Sequence, residues 1–293
     1  MPRLAYVDGR MVPLADARVS IEDRGYQFAD AVYEVGAVLN GRLLDWPQHL
    51  ARLTRNLSAL NIPAPMSAAA FDLQARRLIV HNRATEALLY IQVSRGAGRR
   101  DHAIAAGLRP TLVMTVRAFD FAGRVALQAR GVAVLSVPDQ RWGRCDIKTV
   151  GLLPNVLAKA AAKAAGAFEA WLVDEAEVVA EGGSTNAWIV AGGTLVTHPL
   201  SARILPGVMR ATTIRLARDL QLRVEERPFT LAEAHAADEA FLTSTSAPVV
   251  GVVALDGKPI ASGKPGPITR RLSAALWTEI AHQTGYRPPG LPA

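Results

Sequence analysis

The sequence predicts two α/β domains with a cleft between them. Two patterns carry that reading: hairpin-like strands and two amphipathic helices before residue 120, then a regular alternation of helix and strand after residue 130. A third observation sets the scale. With 293 residues, half of them apolar and a fifth charged, the chain has enough material for two proper cores. The expected boundaries are a small N-terminal α/β domain over residues 1–120, a linker and first strand over 121–135, and a larger domain over 136–293.

Residues 4–7 and 10–14 flank Asp8-Gly9, a pair that supplies the positive φ angles of a tight hairpin turn. Residues 30–35 alternate as a half-buried strand does, and Asn40-Gly41 marks the next hairpin turn. Over residues 47–62, Leu50, Leu53, Leu57 and Leu60 form one apolar helical stripe, with His49, Arg52 and Asn56 as a polar row beside it. Pro63 and Pro65 end that helix. A second helix is expected over 68–82, strands over 87–93 and 111–119, a loop over 94–102 and a linker near 120–124.

In the second half, a strand over 131–137 leads through a polar run to a bend at Asp146-Ile147-Lys148-Thr149. A helix follows from Pro154, where the missing N–H of proline has no intrahelical partner to lose, and Gly166 closes it. Strands are expected over 169–174 and 187–191, the latter turning at Gly192-Gly193 into 194–198. Pro206-Gly207 opens a helix, Thr230 and Glu233 form the capping box of a short one, and strands over 241–246 and 249–255 complete the sheet.

The formal net charge of +7 raises a nucleic-acid partner. Yet the basic residues are scattered, with pairs such as Arg76-Arg77 and Arg99-Arg100 but no longer run, and the aromatics do not interleave with them. An anionic small molecule, or a coding bias, accounts for the charge as well. Cys145 is the single cysteine, which excludes an intramolecular disulfide and a paired-cysteine metal site. No apolar run reaches the roughly 18–20 residues of a membrane span, and no signal-peptide pattern is present, so a cytoplasmic protein without membrane contact is expected. His198 and His235 lack partners at ligand spacing, so no metal is expected. Nucleotide-binding and serine-hydrolase motifs are absent.

Lys148 lies in a bend between strand and helix, where side chains are aimed into clefts. Further on stands Glu181-Gly182-Gly183-Ser184-Thr185-Asn186, an acid followed by small, hydroxyl-rich residues. A poised amine, a buried acid and a phosphate-friendly loop suggest a lysine Schiff base to pyridoxal 5'-phosphate. Lys148 alone reads as well as a solvated lysine, and Glu181 alone as a surface glutamate.

The rest of the chain decides between these readings. Glu22-Asp23-Arg24-Gly25-Tyr26-Gln27-Phe28, Asp30-Ala31-Val32-Tyr33-Glu34-Val35, His49-Leu50-Ala51-Arg52-Leu53 and Arg100-Asp101-His102 come in the first half. Arg144-Cys145-Asp146-Ile147-Lys148, the run from Glu181 to Asn186, Ile204-Leu205-Pro206-Gly207-Val208-Met209-Arg210 and Thr243-Ser244-Thr245-Ser246 follow. In this order they resemble the class IV (fold-type IV) pyridoxal-phosphate aminotransferases, most of all the bacterial D-amino acid aminotransferases, over nearly the whole chain.

The resemblance implies a small N-terminal and a larger C-terminal α/β domain with pyridoxal 5'-phosphate in the interdomain cleft. It makes Lys148 the residue that attaches the cofactor and shuttles the substrate proton, a task that needs a neutral amine. Glu181 would pair with the pyridine nitrogen. Arg52 would grip the phosphate, which suits a guanidinium that binds oxygens in bidentate fashion. The amides of Val208 and Met209 at a helix N-terminus, and the hydroxyls of Ser184, Ser244 and Thr245, would complete the cofactor set. Tyr33, with Arg100 and His102 from the neighbouring subunit of a homodimer, would trap the substrate α-carboxylate.

The implied reaction moves an amino group from a D-amino acid such as D-alanine to a 2-oxo acid such as 2-oxoglutarate, in ping-pong fashion. Alternatives on the same fold are a branched-chain L-aminotransferase, an aminodeoxychorismate lyase and an (R)-amine aminotransferase. A non-enzymatic protein that uses its charge on nucleic acid is the rival of another class. Three positions depart from the family pattern: Met209 stands for a threonine, Ala31 for a glycine and Gly183 for a serine.

Overall fold

Alternating burial along its strands builds the first sheet. The computed structural model describes residues 3–289, and the chain divides into two units. The first unit takes residues up to 120 together with 147–151 and 283–286. Its elements are β1 (Leu4–Val7), β2 (Arg10–Pro13), α1 (Arg24–Phe28), β3 (Ala31–Leu39), β4 (Arg42–Leu43), α2 (Trp46–Ala59), α3 (Ala68–His81), β5 (Glu86–Ser94) and β6 (Thr111–Ala118). They form an antiparallel sheet in the order β2-β1-β6-β5-β3-β4. Val32, Leu89, Ile91, Val93, Leu112 and Met114 join Leu53, Leu57, Phe71 and Leu78 of α2 and α3 in one core. On the other side, the register aligns Tyr33 with Gln92 and Val113, and Val35 with Tyr90 and Thr115, all half-buried.

The polar row expected beside the leucine stripe of α2 is not a solvated face. His49 is 2 % exposed, Arg52 9 % and Asn56 0 %, so three polar side chains are buried over the sheet. Burial on this scale demands partners, and they matter for the site below.

Residues 147–151 belong to the first unit, although both their neighbours, Asp146 and Leu152, belong to the second. The stretch lies along the N-terminal half of β3: Thr149 bridges Val32, the Tyr33 amide donates to the Lys148 carbonyl (3.0 Å), and the Val150 amide donates to the Ala31 carbonyl (3.2 Å).

The second unit holds α4 (Ala122–Arg130), β7 (Val132–Pro138), α5 (Leu153–Ala164), β8 (Glu169–Val173), β9 (Val179–Gly182), β10 (Asn186–Ala191) and β11 (Thr194–Thr197). It continues with α6 (Val208–Asp219), β12 (Val224–Glu226), α7 (Leu231–His235), β13 (Glu239–Thr243), β14 (Val250–Leu255), β15 (Lys258–Pro259) and α8 (Pro267–Thr284), of which residues 283 and 284 count with the first unit. The sheet order is β12-β11-β10-β13-β14-β7-β8-β9, with β15 on β14. Parallel pairs (β7 with β8 and β14, β11 with β12) mix with antiparallel ones. β8 and β13 are buried along their whole length, as sheets covered on both faces require.

Two helices depart from the sequence reading. Residues 122–130, read as linker, form α4, whose Leu127 and Gln128 are buried. α8 was not foreseen; its Leu272, Leu276 and Ile280 repeat every four residues and are buried. The capping box at Thr230 and Glu233 is formed as read.

Glu239, buried in β13, caps α8: its carboxylate accepts from the amides of Ile268 (2.8 Å) and Thr269 (2.7 Å). Glu239→Ala therefore strands two amides at a helix N-terminus and should lower unfolding free energy by about 2 kcal/mol, read from the urea midpoint. Glu239→Gln should lose less, because one side-chain oxygen still accepts.

Candidate active site

In the first unit, β3 presents Tyr33 to one face and Glu34 to the other, as a period of two dictates. Lys148 Nζ lies 4.0 Å from the Tyr33 ring centroid, and the Tyr33 ring lies 5.6 Å from that of Tyr90. Lys148 is half-buried, held at its backbone by β3 with its amine against an aromatic face.

On the opposite face, Glu34 is 1 % exposed and meets the polar row of α2. Arg52 Nε and Nη2 donate to its two oxygens at 2.7 and 2.8 Å. His49 Nδ1 stands 2.8 Å from Oε2, and facing a carboxylate it must carry the proton. Burial alone would raise the Glu34 carboxyl, but the bonds and charge of Arg52, with His49 behind them, hold it down at about 2. Glu34 thus takes one edge of the Arg52 guanidinium and fixes its plane.

The loop after β5 carries Arg100 and His102, both exposed, on either side of Asp101. Their side chains meet one ring: the Arg100 guanidinium lies 5.2 Å and the His102 ring 5.4 Å from the centroid of Phe28 in α1.

In the second unit, Glu181 lies in β9 at 5 % exposure. Its carboxylate accepts from Asn186 Nδ2 (2.9 Å), from the Leu205 amide (3.1 Å to each oxygen) and from Arg141 Nη1. Arg141 is itself held by Asp139 through Nε (2.9 Å) and Nη2 (2.8 Å). Burial raises the Asp139 carboxyl, and the Arg141 bonds and charge more than offset it. Asn186 also donates to the Leu205 carbonyl (3.0 Å), so one amide ties the acid to the segment that enters α6.

α6 begins at Val208 after Gly207, whose position offers no side-chain cap. Val208 and Met209 are buried in its first turn. Ser244 makes a tight turn, accepting from the Ala247 amide (3.0 Å) and donating its own amide to the Ala247 carbonyl, while Thr245 is half-buried. Ser184 is exposed and donates its hydroxyl to Glu169 (2.6 Å).

Asp139 and Arg141, but not Glu181, line a cavity of about 720 Å³ in the second unit, beside Trp142, Asp174 and Arg203. Among the described residues no cluster of three histidines, cysteines or acids stands ready for a metal ion.

Within its own unit each donor has a definite chemistry: in the first, an amine that can condense with an aldehyde and an arginine that suits a phosphate; in the second, a fixed buried carboxylate that suits a ring N–H and a helix N-terminus that suits an anion. Comparisons with known proteins settle the family. Residues 31–255 match the model of the amino-transferase class IV family. The D-alanine aminotransferase of Bacillus licheniformis is 39 % identical over 277 residues, covering 94 % of this chain and 97 % of that protein.

The chain belongs to the class IV aminotransferases.

A D-alanine aminotransferase of Staphylococcus aureus (strain MSSA476) is 36 % identical over 91 % of this chain and 94 % of its own. The branched-chain amino acid aminotransferase of Escherichia coli shares the fold, with a TM-score of 0.88 over 99 % of this chain and 97 % of that one at 22 % identity. Class IV aminotransferases work with pyridoxal 5'-phosphate, and so does this enzyme.

Sequence reasoning gave no role to four residues that hold the candidate ones in this aminotransferase: Glu34, His49, Arg141 and Asn186. Glu34, His49 and Asn186 stand inside the quoted motifs and Arg141 three residues before one, but only contact reveals their task. The glycine at 183 has a local cause: a Cβ there would lie 3.2 Å from the Glu169 carboxylate and 3.3 Å from the Lys159 stem.

Proposed function

We propose that this aminotransferase takes the amino group from a D-amino acid such as D-alanine and gives it to a 2-oxo acid such as 2-oxoglutarate. The observation that carries the reading is the Arg100-Asp101-His102 loop, with both side chains on one ring and exposed, together with Tyr33 beside Lys148. Relatives named D-alanine aminotransferases, 34–39 % identical over more than nine-tenths of the chain, support it.

When bound, pyridoxal 5'-phosphate supplies an aldehyde for the substrate amine and a ring that withdraws electrons from the α-carbon. Arg52, the amides of Val208 and Met209 and the hydroxyls of Ser244 and Thr245 hold the phosphate. Ser184 joins them only by giving up its bond to Glu169. Glu181 keeps a proton on the ring nitrogen, and its three donors keep the carboxylate in place. Lys148 Nζ would hold the cofactor at rest and, once the substrate amine has displaced it, would be the base that carries the substrate α-proton. Met209 serves through its amide, and its side chain adds no hydroxyl.

Arg100 and His102 bind the α-carboxylate in the site of a second copy. Their exposure, with Ile104 (58 %) just after them and Tyr26 (75 %) in α1 also exposed, supports a homodimer. We place the enzyme in the cytoplasm, where its single thiol stays reduced; among the described residues no helix is long and apolar enough to cross a membrane.

The test is a single half-reaction that follows the visible band of the lysine-bound cofactor after adding D-alanine, L-leucine or (R)-1-phenylethylamine. Bleaching by D-alanine is expected. Bleaching by L-leucine or the amine instead would overturn the roles of Arg100 and His102.

A further inference from the structure

The Glu22-to-Phe28 motif has no part in the chemistry above, yet α1 is built against the loop that carries Arg100 and His102. Gly25 packs so closely that a Cβ would lie 2.8 Å from the Ser94 Cβ, and Gly96, at φ +105°, leaves no room for a side chain beside the Arg109 carbonyl. Backbone bonds then zip the two segments: the Arg24 amide to the Gly96 carbonyl (2.9 Å), and the Gly98 amide to the Glu22 carbonyl (3.2 Å).

Arg24 is the centre of this contact, at 5 % exposure. Its Nε donates to Asp30 (2.9 Å), and its Nη1 donates to the Asp101 carbonyl (2.6 Å). Asp30 in turn takes Arg95 through Nε (2.7 Å) and Nη2 (2.9 Å), and Arg95 donates to the carbonyls of Leu60 and Asn61 just past α2. The residue between Arg100 and His102 is thus pinned by its carbonyl. Its two neighbours fall on the Phe28 ring, over which the Arg24 guanidinium also lies at 4.8 Å. A cation over an aromatic face is held by the ring's charge distribution, which an aliphatic side chain of similar size lacks.

We propose that Arg24, Phe28 and Asp30 are positioning residues that shape the Arg100–His102 arm within its own subunit, before a substrate carboxylate arrives. The proposal rests on the reading of Arg100 and His102 as the carboxylate trap. It makes the Arg-x-His spacing a consequence of one anchored residue with a side chain on each side.

The test uses the loaded enzyme and four variants, Phe28→Leu, Phe28→Tyr, Arg24→Lys and Arg100→Met, each checked for thermal midpoint and bound cofactor. The readouts are KM and kcat for D-alanine and the calorimetric Kd of propionate, a carboxylate that cannot react. Phe28→Leu should raise both KM and Kd about fivefold while kcat changes less than about twofold, and Phe28→Tyr, which keeps the ring, should stay near the parent. Arg24→Lys, which loses the reach to Asp101, should repeat the loss and serves if Phe28→Leu does not fold.

An unchanged KM and Kd in Phe28→Leu and Arg24→Lys, with Arg100→Met impaired, would overturn the positioning role and leave the trap standing. An unchanged Arg100→Met would remove the trap itself, and this proposal with it. Equal impairment of Phe28→Leu and Phe28→Tyr would also count against it, since the ring face would then not matter.

Discussion

Lys148→Ala should abolish transamination, lowering kcat by about a thousandfold or more, since in the proposed role the amine both carries the cofactor and moves the proton. Borohydride should then leave no cofactor on the protein after dialysis, whereas the parent keeps it covalently. The fold should survive. Residue 148 contacts β3 through its carbonyl and its flanking residues, and the side chain adds only an aromatic contact, so the change in stability should stay within about 0.5 kcal/mol. Lys159→Ala is the control: its amine already donates to the Phe168 carbonyl (2.8 Å) and pairs with Glu169. Activity above about a tenth of the parent in Lys148→Ala would refute the assignment.

Glu34→Ala should be the most destabilising single change near the site. It leaves the Arg52 guanidinium and the His49 ring buried with their shared partner gone, a loss of about 3–5 kcal/mol. Glu34→Gln keeps the shape but not the charge, and should cost less. The effect has a pH signature. The folded carboxyl sits at about 2 against an ordinary 4.5, so its stabilisation of about 3 kcal/mol is full above pH 4.5 and fades as pH falls toward 2. Urea unfolding at pH 6 and pH 3 should therefore show the gap between parent and Glu34→Gln shrinking by more than half. An unchanged gap would mean that Glu34 is not held as an anion. Freed from Glu34, Arg52 should also hold the cofactor phosphate less well, raising the cofactor Kd roughly tenfold.

Local patterns made most of the fold legible. Asp8-Gly9 and Asn40-Gly41 do turn hairpins, the leucine stripe does form α2, and Thr230 with Glu233 does cap α7. α4 escaped notice because it is short and has Gly123 in its first turn. α8 followed a cluster of turn residues and was passed over despite its four-residue repeat. The candidate site was legible only through the run of motifs, since Lys148 and Glu181 taken singly read as well as solvated residues. It was illegible where a residue acts by holding another. Glu34 and Asn186 look like ordinary polar residues of a strand, and their partners Arg52 and Leu205 lie 18 and 19 residues away. The buried row on α2 gives the same lesson: periodicity located the face, but only Glu34 explains why His49 and Arg52 can sit there inside the unit, while Asn56 accepts from Arg55 (2.8 Å).

The placement of residues 147–151 has a consequence for how the enzyme is made. Thr149 bridges Val32 across on the order of a hundred residues of sequence, and that closure is what fixes the lysine carbonyl on β3. On the ribosome, β3 emerges long before the strand partner that completes its edge. The nascent first unit therefore lacks residue 148, which joins β3 only through contacts that close a long stretch of chain. Completion of the β3 edge is a late event in biosynthesis, timed by chain topology.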